Sequence, residues 1–251
     1  MNPPGPLLAV RGLSKVFGGI RAIDNLDMEL ASGQCLGIIG PNGAGKTALL
    51  NVISGFYRAD AGQLRFGDAE LSRLTLHQIG RLGIARTYQN IRVFRRMTVL
   101  ENVLVGVRSH ALHPLRSFLD WRLRNAERDN ALALLDRFDL VERADVLAGT
   151  LAYGEARRLE IARALATRPR LLLLDEPAAG MNEDETARLV EDIRACRDLV
   201  AGMILIEHDM GLITALAQRV VAMDNGRKIA EGSPDEVLGD ARVREAYLGV
   251  E

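Results

Sequence analysis

Cys35-Leu36-Gly37-Ile38-Ile39-Gly40-Pro41-Asn42-Gly43-Ala44-Gly45-Lys46-Thr47 is the stretch whose reading decides the fold. Its first five residues read as a short, fully apolar strand. From Lys46 to Ile53 the spacing is helical, with Leu49, Leu50 and Ile53 on one face. A glycine-rich turn between strand and helix, ending Gly-Lys-Thr, is the phosphate-loop pattern. Its glycines let the backbone curl until successive N–H groups face inward as an anion nest. The positive end of the following helix points the same way. Lys46 is expected to pair with β and γ phosphates, and the Thr47 hydroxyl to ligate Mg²⁺. The expected nucleotide-binding residues on this loop are Gly40, Pro41, Asn42, Gly43, Ala44, Gly45, Lys46, Thr47 and Ala48. A dinucleotide fingerprint fits worse, because Gly-x-Gly-x-x-Gly has no match here.

Further along, Leu171-Leu172-Leu173-Leu174-Asp175-Glu176-Pro177 gives the loop a chemical partner. Four consecutive apolar residues suit a strand buried on both faces. The two carboxylates at its end then need a reason. Asp175 is expected to hold Mg²⁺ through its water shell, and Glu176 to orient and polarise an attacking water. Three weaker signals accompany them. Gln89, in Arg86-Thr87-Tyr88-Gln89-Asn90, is placed to sense the metal and that water. Leu151-Ala152-Tyr153-Gly154-Glu155 opens a helix whose N-terminus offers a second anion site. His208 follows an apolar strand, placed to touch a γ-phosphate.

Outward from these motifs the chain alternates strand and helix. Leu7 to Val10, Ala22 to Leu30 and Gln63 to Phe66 read as strands, with a turn at Phe17-Gly18-Gly19. From about Tyr88 to Thr150 the pattern becomes helical, over Val99 to Val107, Leu115 to Leu123 and Ala126 to Phe138. The rhythm resumes with strands at Leu171 to Leu174, Met203 to Ile206 and Val220 to Met223, and helices at Asp184 to Ala195 and Met210 to Ala217. That order predicts an α/β core with a mainly parallel sheet, an antiparallel β flank and an inserted helical subdomain. The expected division is a core of residues 1–88 and 151–251 and a helical subdomain of residues 89–150, within one domain.

Composition narrows the partners. The 251 residues carry Lys+Arg 32 against Asp+Glu 33, a net charge of -1, so no whole-molecule field draws the chain to nucleic acid or anionic lipid. Cys35 and Cys196 lie far apart with no metal-ligand spacing and read as core thiols. No apolar run approaches the ~18 residues of a membrane span, and the start shows no signal-peptide pattern. A cytoplasmic, peripheral location is expected, with any membrane role carried by partners. The segment from Ser109 to Leu147 holds Trp121 with Arg116, Arg122, Arg124 and Arg128. It reads equally as a docking surface or as a solvated helix.

Phosphate loop, Gln89, LAYGE, LLLLDEP and IEHD in this order resemble the ATP-binding subunit of ABC transporters over almost the whole chain. The resemblance implies ATP and Mg²⁺ as cofactors, with Glu176, His208 and Gln89 as catalytic residues. It implies a head-to-tail pair of ATPase subunits, in which Leu151, Ala152, Tyr153, Gly154 and Glu155 face the partner's ATP. It also implies that Phe17 stacks on adenine. Gly83 to Phe94, Met97 to Gly106, Pro177 to Asn182 and Glu245-Ala246-Tyr247-Leu248-Gly249 are similar to the branched-chain amino-acid importer ATPases. That family implies a second, identical or non-identical ATPase, two transmembrane permeases and, indirectly, an extracytoplasmic binding protein. Three positions depart from the wider pattern. Ala48 stands where a second Thr is usual, which removes a hydrogen bond of about 1 kcal/mol. Ala152 stands where Ser is usual, and Ala156 where Gln is frequent. The rival readings are a soluble ABC-type ATPase acting on nucleic acid or the ribosome, an importer ATPase for another solute such as urea, and a small-molecule kinase.

Overall fold

The computed structural model describes residues 5–108 and 121–248. Its strands are β1 Leu8–Phe17, β2 Ile20–Leu30, β3 Cys35–Ile39, β4 Ala61–Phe66, β5 Ala69–Glu70, β6 Ile84–Arg86, β7 Leu171–Asp175, β8 Gly202–Ile206, β9 Arg219–Asp224 and β10 Arg227–Gly232. The helices are α1 Lys46–Ile53, α2 Leu76–Arg81, α3 Val99–Arg108, α4 Trp121–Asp136, α5 Tyr153–Ala166, α6 Glu183–Ala195, α7 Met210–Leu216, α8 Pro234–Gly239 and α9 Ala241–Leu248.

Two sheets result. One is antiparallel, in the order β2-β1-β4-β5; the other runs β10-β9-β3-β8-β7-β6. In the second sheet β3 pairs in parallel with β8 and β9, and β7 with β6 and β8; only β10 is antiparallel. Strands so placed are covered on both faces, and β3, β7 and β8 are buried at every residue. Their side chains alternate between two cores. Leu171 and Leu173 join α1 and the antiparallel sheet in one, while Leu172 and Leu174 join α3, α4 and α5 in the other. The carboxyl ends of β3, β7 and β8 therefore open on one edge, where a parallel sheet presents its ligand crevice.

The fold class is as expected, and the differences lie in extent. β1 runs on to Phe17 rather than stopping at Val10, because register shifts between Val10 and Leu13, and again to Lys15, break the apolar alternation without ending the pairing. β5, β6, α2, β10, α8 and α9 were not foreseen: two to six residues, a polar edge strand, or in α9 eight residues with only Val243 buried among the described side chains, give periodicity nothing to grip. Short capping boxes nonetheless mark two of these helices, Thr75 with Gln78 and Ser233 with Glu236. The helix expected over Leu115 to Leu123 lies outside the described residues through position 120. The proposed surface at Arg116 and the side chains of Trp121, Arg122 and Arg124 are likewise outside them. Both cysteines are buried and free, and burial pushes their thiols up to about 11 for Cys35 and about 12 for Cys196.

Candidate functional site

β3 ends at Ile39 and the chain turns through Gly40 to Gly45, which caps α1 with a left-handed φ of 99°. A Cβ at Gly45 would stand 2.2 Å from the Ala22 carbonyl, so only glycine fits between loop and β2. Lys46 is buried, and its ammonium donates to the carbonyls of Gly40 at 2.6 Å and Pro41 at 3.0 Å. Burial holds its pKa below the usual lysine value, against the pull of Glu176 and Asp175. The lysine thus arrives as a donor already tucked into its loop. Asn42 to Ala48 line a cavity of about 510 Å³ together with Phe17, Ala22, Asn51, Tyr57, Gln89 and Glu176. Phe17 stands edge-on to Tyr57 at 4.9 Å, giving the cavity an aromatic wall. Gly40 and Pro41 stay behind that lining and serve Lys46.

Glu176 follows β7 with φ 48°, a left-handed conformation that costs a non-glycine residue of order 1 kcal/mol or more. That turn aims its carboxylate out of the strand. Gln89 Nε2 donates to its Oε2 at 2.7 Å, and His208 Nε2 lies 2.9 Å from its Oε1. Gln89 and His208, separated from Glu176 by 87 and 32 positions, are thereby gathered on its carboxylate.

Asp175, one residue earlier, is buried. Its Oδ2 accepts from Arg86 at 2.8 Å in an ion pair whose side chains are 5% and 3% exposed, while Oδ1 has no protein partner. Arg86 is itself held by the side chains of Asn51, at the end of α1, and Ser54. Among the described residues no three His, Cys, Asp or Glu side chains come together as a metal cluster. A divalent cation here would rely on phosphate, water and single protein oxygens, the habit of Mg²⁺. The unpartnered Oδ1 of Asp175, and Thr47 exposed at the start of α1, are donors that fit it.

Leu151 to Glu155 stand apart: none lines the Lys46 cavity. Ala152 carries no capping hydroxyl, and the Glu155 carboxylate accepts its backbone N–H at 3.1 Å. Tyr153, 45% exposed, donates to the Ala179 carbonyl at 2.8 Å, tying α5 to the loop after Glu176. A cation and a carboxylate outside the motifs, and the Glu of IEHD, which was given no role, do more of the wiring. Arg157, wholly buried, donates to the carbonyls of Tyr88 and Gln89, each at 2.6 Å, and to Glu160 at 2.8 Å. Glu160 accepts the Arg92 N–H at 3.0 Å, and burial raises its pKa. Glu207 is buried beside His208 and accepts the N–H of Ala178 at 2.7 Å; burial raises its pKa too. Nothing in Arg157-Arg158 marks the first arginine as wholly buried and the second as still touching solvent. For Glu207, the adjacency to His208 was the available signal.

A larger cavity of about 800 Å³ lies between β6, α3 and α5, on the other side of Arg86. Leu76, Phe94 and Val105 expose apolar surface there, and Arg81, Arg92 and Arg163 stand among them with Glu160.

With this geometry the comparisons agree. Residues 23–179 match the family model for the ABC transporter, and residues 227–251 that for the branched-chain amino acid ATP-binding cassette transporter. The chain is 42% identical over 250 residues to the high-affinity branched-chain amino acid transport ATP-binding protein LivG of Salmonella typhimurium, covering 97% of this chain and 98% of the relative. It is 40% identical to BraF of Pseudomonas aeruginosa, which bears the same description, over 97% and 98%. A solved ATP-binding cassette of an ABC transporter in its ADP conformation superposes with a TM-score of 0.85 at 30% identity, covering 98% of this chain and all of that one. A phosphate loop at the carboxyl edge of a parallel sheet, with matches of this length, means that the chain belongs to the ABC transporter family, among its ATP-binding ATPase subunits.

Proposed function

We propose that the chain hydrolyses ATP to drive an importer of branched-chain amino acids, with Glu176 as the base that polarises the attacking water. The observation that carries this is the Glu176 carboxylate held between Gln89 and His208 on the edge of the Lys46–Thr47 cavity. A carboxylate anchored at both oxygens has little freedom, which suits a group that must orient one water. The ammonium of Lys46 would supply positive charge where γ-phosphate charge would spread, with the His208 ring beside Glu176. Phe17 would stack on adenine, with Tyr57 bracing it from the side. Thr47, Gln89 and Asp175 would hold Mg²⁺, which would neutralise phosphate charge.

Leu151 to Glu155, exposed in part and remote from the chain's own cavity, would complete the site of a second ATPase subunit. The 800 Å³ cavity is the better candidate for permease docking than the basic segment around Trp121: it touches Arg86 at the end of β6 and Tyr88 beside Gln89, so a push there would reach the site. Residues 89–150 would then act as a helical subdomain moving against the core. A cytoplasmic position against the membrane follows from those partners. No described helix is long and apolar enough to cross a membrane. The amino-acid cargo rests on the relatives and on the match of residues 227–251.

The test is uptake of labelled leucine, isoleucine and valine, with urea and other amino acids for comparison, in cells whose only copy is wild type or Glu176→Gln. Branched-chain uptake is expected to fall at least about a hundred-fold, the worth of a general base. Loss of another solute alone would discard the cargo, and unaltered transport of every solute would discard the motor.

A further inference from the structure

The C-terminal segment carries a matched family model of its own, yet nothing in the ATP chemistry above uses it. Its path is specific. β10 pairs with β9, and β9 with β3, the strand that delivers the phosphate loop. After β10, Ser233 caps α8 by accepting the Glu236 N–H, and Asp240 starts α9. The Asp240 carboxylate accepts from the Arg242 backbone at 2.8 Å and from its guanidinium at 2.7 Å, which holds its pKa down at about 2. Val237 and Val243 anchor the two helices in the same apolar core as Ile39. One turn beyond Val243, Tyr247 points back across the sheet edge, and its hydroxyl accepts the Gly40 N–H at 2.8 Å.

Gly40 is the corner where β3 becomes the loop, and it is held from three sides. Its φ is 152°, and a Cβ there would stand 2.1 Å from the Met223 carbonyl of β9. Its own carbonyl accepts the Lys46 ammonium at 2.6 Å. Tyr247 holds its N–H. The ammonium that must meet phosphate is thus stationed on the same residue that the C-terminal helix grips. Without the phenol, that N–H loses its partner where the loop begins, and the corner is free to tilt.

We propose that Tyr247 is a positioning residue of the nucleotide site: through Gly40 it fixes the first corner of the phosphate loop and the station of Lys46, so the C-terminal segment tunes ATP affinity. This rests on the loop being the ATP site, and the experiment separates the two. ATP affinity, the ATP dependence of hydrolysis and the melting temperature are measured on the full chain as wild type, Tyr247→Phe and Lys46→Ala. Tyr247→Phe keeps the ring and removes one acceptor. ATP should bind about five-fold more weakly, with KM raised by the same factor and kcat at saturating ATP kept, as one hydrogen bond warrants. The melting temperature should fall by no more than about 2–4 °C, the cost of one hydrogen bond in a domain of this size. Unchanged affinity would overturn the proposal. So would a fall in kcat at constant KM, or an affinity loss accompanied by a melting-temperature drop well beyond that, since either would make Tyr247 a mere structural contact. Lys46→Ala should abolish binding; if it bound ATP normally, the loop reading would fail and this one with it.

Discussion

Single side chains at this site are set by what they touch more than by their type. Asp175 and Glu176 are neighbours, yet one is locked inward on Arg86 and the other is turned out by a left-handed φ onto Gln89 and His208. The Arg86–Asp175 pair is nearly dry, so its worth to stability is small against the cost of losing one member, and its use is to fix position. Away from the site, Asp192 on α6 is the clearest misfit. Burial pushes its carboxyl up to about 6, with Arg158 and Arg188 opposing and Asp139 and Glu191 adding to the rise, and its Oδ2 has no partner. A folded-state pKa above the unfolded value near 3.8 means the stabilising protonated form is fully present below about pH 4 and is lost as pH rises through 6. Asp192→Asn, which keeps that shape without the charge, should raise the melting temperature at pH 8 and leave it almost unmoved at pH 4. Thermal scans at the two values check this; equal shifts at both would refute the burial account.

Among the elements, α5 is the one that joins distant parts. Its first residue, Tyr153, bonds the Ala179 carbonyl, and Arg157, one turn on, bonds the carbonyls of Tyr88 and Gln89. The helix that opens within the LAYGE segment therefore grips both the loop after Glu176 and the loop that carries Gln89. A helix with a bidentate, buried arginine ties any tilt at its N-terminus to those carbonyls, a coupling that substitution of Arg157 tests. Arg157→Lys keeps the charge but cannot bridge two carbonyls and Glu160 together. Hydrolysis should fall roughly ten-fold, the equivalent of one or two hydrogen bonds, while ATP affinity holds. Phosphate release and an ATP titration on the same protein decide it, and parallel loss of affinity would mean that Arg157 acts on the nucleotide cavity instead.

At the scale of the whole molecule, the two cores place two openings back to back. The Lys46 cavity lies at the carboxyl edge of β3 and β7, and the larger apolar and basic cavity lies between β6, α3 and α5, with Arg86 reaching from the wall of one to Asp175. Exposed Phe94 and Val105, ringed by arginines, suit an amphipathic segment with acidic residues. Val105→Glu replaces a surface side chain and should leave folding within about 0.5 kcal/mol and ATP binding intact. Co-purification with the permeases should fail. Normal assembly would remove this cavity as the docking site and return attention to the segment around Trp121.

Residues 35–47 and 171–177 were enough to read the strand–loop–helix of the phosphate-loop pattern, the parallel sheet and the carboxylates at its edge, because buried parallel strands are continuous apolar runs and an anion nest needs glycine at fixed spacing. Gln89, His208 and the LAYGE segment were legible as types in an order, but not as a constellation. Only tertiary structure brought Gln89 and His208 onto Glu176, since contacts between residues so far apart in sequence leave no local period to detect. The same holds for Arg157, Glu207 and Tyr247, ordinary surface residue types whose burial or reach depends on neighbours from other elements. The sequence by itself determined which chemistry the loop and the acidic strand end can host. The fold decided which charged side chains are buried, and so which loops move together, because burial is a property of the packed neighbours and not of the residue.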